Sequence, residues 1–389
     1  MSARSAPPLA LYLHMPWCVR KCPYCDFNSH QLKTGVPDSG YIDALIADFD
    51  TELPLLAGRR IETVFFGGGT PSLFPPTDIG RLLFALRQRI DFAPDAETTL
   101  EANPGTIERG LFASYRDAGI NRVSIGAQSF NAGALEALGR IHTPDDTYRA
   151  VEELRAAQLD NFNLDLMYAL PRQSACEAQA DVEAACALQP AHISYYHLTL
   201  EPGTVFHARP PPLPDEDSAW DMQAAGQETL AGAGYMQYEV SAYARAGARC
   251  RHNLNYWLFG DYVGVGAGAH GKLSLGLPDR VLRTAKPRQP REYQAAISLA
   301  ATPIGERNLV APAQLPFEFM LNALRLNEGF TTEDFQARTG LGIDCVALKL
   351  ERARQRGLLE NSGAAASPGW TPTALGRRFL TDLQAEFLG

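Results

Sequence analysis

Residues 11–30 read LYLHMPWCVRKCPYCDFNSH, an apolar run that enters a loop carrying Cys18, Cys22 and Cys25. Thiolates are soft donors that select zinc, copper(I) or iron-sulfur clusters. Zinc in a structural site takes four protein ligands, and here only three cysteines gather, with no histidine at zinc-finger spacing. Three thiolates suit a 4Fe-4S cube, each holding one iron and leaving the fourth open to a substrate. The spacing CxxxCxxC directly after a first strand therefore makes these three cysteines candidate cluster ligands. Cys176, Cys186, Cys250 and Cys345 are scattered singly. An odd total of seven in so long a chain reads as thiols and metal ligands in a reducing compartment, not as disulfides.

Outward from this loop, short apolar or β-branched runs alternate with amphipathic stretches as far as about residue 198. Strands are expected at 9–14, 63–66, 99–101, 122–127, 162–167 and 192–198. Between the first two, Tyr41, Leu45, Phe49, Leu53 and Leu56 recur at helical spacing, as do Leu82, Leu83, Leu86 and Ile90 after the second. This alternation predicts a parallel sheet crossed by helices, with ligands at the carboxyl ends of the strands. The prolines of ARPPPLPDED, residues 208–217, forbid a continuous helix and mark a connector. The expected units are 1–205, 206–314 and 315–389. In the last, three short helices and two extended segments around a Gly/Ala/Ser turn at 363–367 read as a winged-helix-like module.

The CxxxCxxC spacing resembles the radical S-adenosylmethionine (SAM) superfamily. Its flanks resemble the branch that holds oxygen-independent coproporphyrinogen III oxidases and HemW-type heme chaperones. The fold this implies is α/β, a partial (β/α)6 TIM-like barrel with a C-terminal, mainly helical, winged-helix-like domain. It also implies a 4Fe-4S cluster and adenosylmethionine as cofactors. Carried onto this chain, the adenosylmethionine residues are Tyr12, Tyr24, Gly68, Gly69 and Thr70 of GGGTPS, and Glu101 of EANP. Gln128, Arg140 and Asp165 match positions for a second adenosylmethionine in the oxidase. Glycines let backbone approach a ligand, and a carboxylate holds ribose hydroxyls, so the residue types fit that chemistry.

Two departures separate oxidase from chaperone. The oxidase has a further cysteine two residues after the third ligand, where this chain has Phe27, and an N-terminal extension. Residues 252–257 read HNLNYW, which matches the HNxxYW motif of the heme-binding branch. A neutral imidazole is a good axial ligand and aromatic rings stack on a macrocycle, so His252, Asn253, Tyr256 and Trp257 are the expected heme contacts. The glycines at 264, 266 and 268 before His270 imitate a dinucleotide loop but lack the downstream helix and acidic partner, and are expected to contact the adenosyl group.

The resemblance thus implies a chaperone that carries heme as cargo to acceptor hemoproteins, respiratory ones foremost, and that needs a reductant for its cluster. The alternative is coproporphyrinogen III dehydrogenase or a radical methyltransferase. The family also admits cluster-linked dimers and peripheral membrane association. Across 389 residues, 46% hydrophobic and 20% charged, the net charge is -9 without a basic block, which argues against nucleic-acid binding. No apolar run is long enough for a membrane span and no signal peptide is read at the N-terminus, so a cytoplasmic location is expected.

Overall fold

A computed structural model describes residues 6–33, 35, 37–56, 58–106, 111–299, 305–362 and 368–388. The first five residues, part of the signal-peptide reading, and the turn at 363–367 lie outside the described residues. Six parallel strands lie side by side in chain order: β1 (Leu9–Met15), β2 (Ile61–Gly68), β3 (Phe92–Ala102), β4 (Arg122–Gln128), β5 (Phe162–Tyr168) and β6 (His192–His197). The expected runs at 9–14, 63–66, 99–101, 122–127 and 162–167 lie within the first five, and the run at 192–198 extends one residue past β6. Most side chains of these strands are buried, apolar ones alternating with polar ones in β4, β5 and β6.

Helices cover the outer face: α1 (Gly40–Glu52), α2 (Pro76–Arg87), α3 (Leu111–Ala118), α4 (Pro144–Ala156) and α5 (Ala175–Ala187). Tyr41, Leu45 and Phe49 of α1 are completely buried against the sheet, each such side chain contributing about 1.5–3 kcal/mol of burial. Capping boxes start two helices, Thr143 with Asp146 at α4 and Ser174 with Glu177 at α5, so that otherwise orphaned N–H groups find acceptors.

The chain from 206 to 314 extends this same sheet. After the proline connector, Asp215 caps α6 (Glu216–Gly232). Strands β7 (Met236–Gln237) and β8 (Ala242–Ala244) then add beyond β6, while β9 (Asp261–Val265), β10 (His270–Gly276), β11 (Arg280–Ala285) and β12 (Glu306–Val310) add beyond β1. The full order is β12-β11-β10-β9-β1-β2-β3-β4-β5-β6-β8-β7. Only β9 of the added strands runs parallel to its barrel neighbour, with Tyr12 opposite Gly264. Helix α7 (Arg251–Trp257) carries HNLNYW. A buried ion cluster ties this region to α1: Lys286 Nζ donates to Asp48 and Glu52, each at 2.6 Å, and Asp48 also accepts from Tyr293 Oη and the Gly266 N–H.

The C-terminal part has its own apolar core around Phe319, Phe330, Phe335 and Leu350. It comprises α8 (Leu315–Ala323), β13 (Phe330–Thr331), α9 (Thr332–Thr339), α10 (Ala347–Gln355), β14 (Leu359–Ser362) and β15 (Gly369–Pro372), the strands pairing as β13-β15-β14. A Thr331–Asp334 capping box opens α9, and left-handed Gly340 closes it. Phe259 and Val281 of the preceding region enter the same core.

Candidate active-site cavity

The cysteine loop is sewn to the tip of the sheet by backbone hydrogen bonds. Gly69 N–H donates to Met15 O at 2.8 Å, Thr70 N–H to Trp17 O at 2.7 Å, and His30 N–H to Pro16 O at 2.6 Å. Glycine is required here: a Cβ on Gly69 would stand 2.5 Å from Trp17 O. Asn28 pins the far end of the loop, donating to Ala267 O and Arg288 O, each at 2.9 Å. His14 accepts from Tyr12 Oη at Nδ1 and donates from Nε2 to Asn28 O at 2.8 Å.

Cys18, Cys22 and Cys25 are half-buried and line one cavity of about 510 Å³ inside the strands. Arg140 donates to Cys22 Sγ at 3.8 Å and to Gly126 O at 2.7 Å, so a fixed positive charge faces the sulfurs. Among the described residues, no three His, Cys, Asp or Glu side chains converge as ligands of a single ion. In a cube each thiolate bonds a separate iron and need not share one point. Three soft sulfurs on one loop fit such a cluster.

The same cavity is lined by Tyr12, Tyr24, Gly68, Gly69, Thr70, Glu101, Gln128, Arg140 and Asp165, whereas Gly264, Gly266 and Gly268 of the turn before His270, expected to contact the adenosyl group, are not among its lining residues. Gln128 ends β4 with φ of 65°, a left-handed conformation uncommon outside glycine. Glu101 Oε2 accepts from Gly68 N–H at 3.1 Å; burial, and then the neighbouring Asp165 charge, push its carboxyl up to about 8. Burial also raises Asp165, although Ser124 and Asn163 donate to its oxygens.

His252 and Asn253 line the cavity's inner end, together with Tyr256. The His252 ring is 1% exposed, lies on Phe65 with centroids 4.9 Å apart, and shares hydrogen bonds with Thr63 Oγ1 at 2.9 Å and Tyr256 Oη at 3.3 Å. Burial, helped by the Arg122 charge, holds its pKa down to about 3, so the imidazole is neutral. Trp257 is not among the lining residues: its ring lies under the Arg325 guanidinium at 4.2 Å. One position beyond Tyr256, it is turned about 100° around α7 from that residue.

Several lining residues carry no signature in the sequence. Arg122 is 2% exposed, and its Nε has no hydrogen-bond partner among the described residues. Asn163 and Ser194 bond one another, and Asn163 also bonds His192, which shares a 2.8 Å bond with Tyr238 Oη. All but Tyr238 line the cavity. Strand alternation could have flagged them, since polar residues at Arg122, Ser124, Asn163, Asp165, His192 and Ser194 occupy every second position of β4, β5 and β6.

The radical SAM superfamily model matches residues 12–185, and the HemN C-terminal domain model matches 310–379. The heme chaperone HemW of Escherichia coli K12 is 47% identical over 383 residues, covering 98% of each chain. HemW of Haemophilus influenzae is 44% identical over 387 residues, again 98% of each. Among solved structures, the radical SAM enzyme coproporphyrinogen III oxidase (HemN) of E. coli superposes with a TM-score of 0.83 at 22% identity, covering 99% of this chain and 91% of that one. That likeness speaks to the fold, and the expected partial barrel with its C-terminal winged-helix-like domain is the architecture found. With end-to-end identity of this order, the chain belongs to the HemW family of the radical SAM superfamily.

Proposed function

We propose that the protein is a heme chaperone: it binds heme and hands it to acceptor hemoproteins, respiratory ones foremost. The observation that carries this is the 47% identity with an E. coli heme chaperone over 98% of both chains. The helix bearing HNLNYW supports it, because Tyr256 of that helix stands in the cavity wall with the His252 ring hydrogen-bonded to its phenol.

In this reading Cys18, Cys22 and Cys25 hold a 4Fe-4S cluster. Tyr12, Tyr24, Gly68, Gly69, Thr70 and Glu101 surround adenosylmethionine, and Gln128, Arg140 and Asp165 line a second such position. A reduced cluster supplies an electron to a sulfonium; the protein's own part is positional. Gly68 and Gly69 bring backbone close to the ligand, Arg140 neutralises thiolate charge, and Glu101 accepts hydroxyls once ionised. A cytoplasmic reductant serves the cluster. No described helix is long and apolar enough to cross a membrane. Pairing of two copies and peripheral contact with a membrane are compatible with heme transfer.

Anaerobic titration of the cluster-loaded protein with heme, followed by mixing with an apo-hemoprotein, tests the proposal. A Soret band that forms and then moves to the acceptor is the expected result. Conversion of coproporphyrinogen, with no heme retained, would overturn it in favour of the enzyme reading. Phe27, where the oxidase carries a cysteine, weighs against that outcome.

A further inference from the structure

His270 is exposed, and among the described residues its ring makes no hydrogen bond or ion pair. It opens β10 at the edge of a second cavity of about 770 Å³, a size in the range that holds drug-like and cofactor ligands. This cavity and the first share a wall of Tyr12, Gly68, Glu101 and Tyr256, with Phe27 at the lip of both. Phe27 is 60% exposed, a large apolar ring left without cover. Tyr256 and Tyr262 meet edge to face at 4.4 Å inside the second cavity, giving it an aromatic floor. Besides His270, its basic groups are His14, both of whose ring nitrogens are engaged by Tyr12 Oη and Asn28 O, Lys286, committed to Asp48 and Glu52, and exposed Arg288, which has no ion-pair partner among the described residues; Glu306 stands on the strand opposite.

These groups form a set with one occupant in view. A flat macrocycle needs aromatic surface, its iron needs an imidazole nitrogen that projects into open space, and its propionates need a cation at the rim. His252 does not meet the second requirement, because it is buried and both ring nitrogens are engaged. His270 does.

Resting on the heme reading above, we propose that heme docks in this second cavity with His270 as axial ligand and Arg288 toward its propionates. His252 acts from behind the wall, holding Tyr256 by the 3.3 Å bond between Nε2 and the phenol. The HNLNYW helix then shapes the heme surface without ligating the iron. The cargo lies beside the adenosylmethionine position, separated from it by Tyr12 and Glu101.

The test is heme titration of full-length, cluster-loaded wild type, His270→Gly, His270→Tyr and His252→Ala, with cluster absorbance checking each fold. His270→Gly is expected to lose about tenfold or more in affinity and to regain a histidine-type Soret band when imidazole is added. His270→Tyr should bind heme with a tyrosinate-type spectrum, since the axial ligand sets the electronic bands. His252→Ala should keep the wild-type band position. If His270→Gly binds as wild type does and His252→Ala alone loses the band, the second-cavity assignment falls while the chaperone reading stands. Absence of any heme band in wild type overturns both.

Discussion

Glu101 shows how a single carboxyl in the cavity couples proton and ligand. Held at about 8 by burial, it keeps its proton in the folded protein where the unfolded chain, titrating near 4.5, has released it. Its contribution to stability is therefore complete below that lower value and lost as the pH rises through 8. Asp165, raised in the same direction, adds to the trend. Melting of the ligand-free wild type should fall between about pH 5 and about pH 8, and Glu101→Gln should flatten that fall. An equal fall in both proteins, read by differential scanning calorimetry, would contradict the assignment. Period-two alternation places Arg122 and His192 on one face of their strands, but their roles were not legible in the sequence. A polar residue inside a strand acquires meaning only when the neighbouring strands bring its like beside it.

At the scale of elements, α7 is set by β3. The buried Glu97 carboxylate accepts from the N–H groups of Arg251 at 3.1 Å and His252 at 3.0 Å, and from Cys250 Sγ at 3.6 Å. The two N–H groups are free donors of the helix's first turn. Glu97→Ala leaves them buried without acceptors and should cost about 3 kcal/mol, while Glu97→Gln, which keeps an acceptor oxygen, should cost less. Urea unfolding gives the comparison, and similar losses in both variants would refute the capping role. The six barrel strands were legible because each is a short apolar run ending in a polar or glycine turn. Strands β7 to β12 were not: several are two to five residues long, and the joins that attach them to the barrel, β8 to β6 and β9 to β1, bridge about 50 and about 250 residues, beyond any local period. The HNLNYW motif was legible as a unit, but its division was not. Helical geometry sends His252 and Tyr256 to one face and Trp257 to another.

For the molecule as a whole, Lys286, Asp48 and Glu52 fasten the extended half of the sheet to the first barrel helix. Asp48 sits above its ordinary range because burial outweighs the nearby ammonium. Lys286→Met would leave two carboxylates buried without a cation, a loss of about 3–5 kcal/mol. The loss should shrink as the pH falls and Asp48 takes up a proton, so urea midpoints at about pH 5 and about pH 8 should differ more in the variant than in wild type. A pH-independent loss would count against the clasp. The four cysteines outside the cluster loop have a practical consequence. Cys176 on α5 and Cys345 before α10 are exposed, Cys186 is half-covered and Cys250 is enclosed. With the cluster occupying its three sulfurs, maleimide probes would enter first at Cys176 and Cys345. That pair spans the barrel and the C-terminal module, an untouched chain's own ruler for any movement between them.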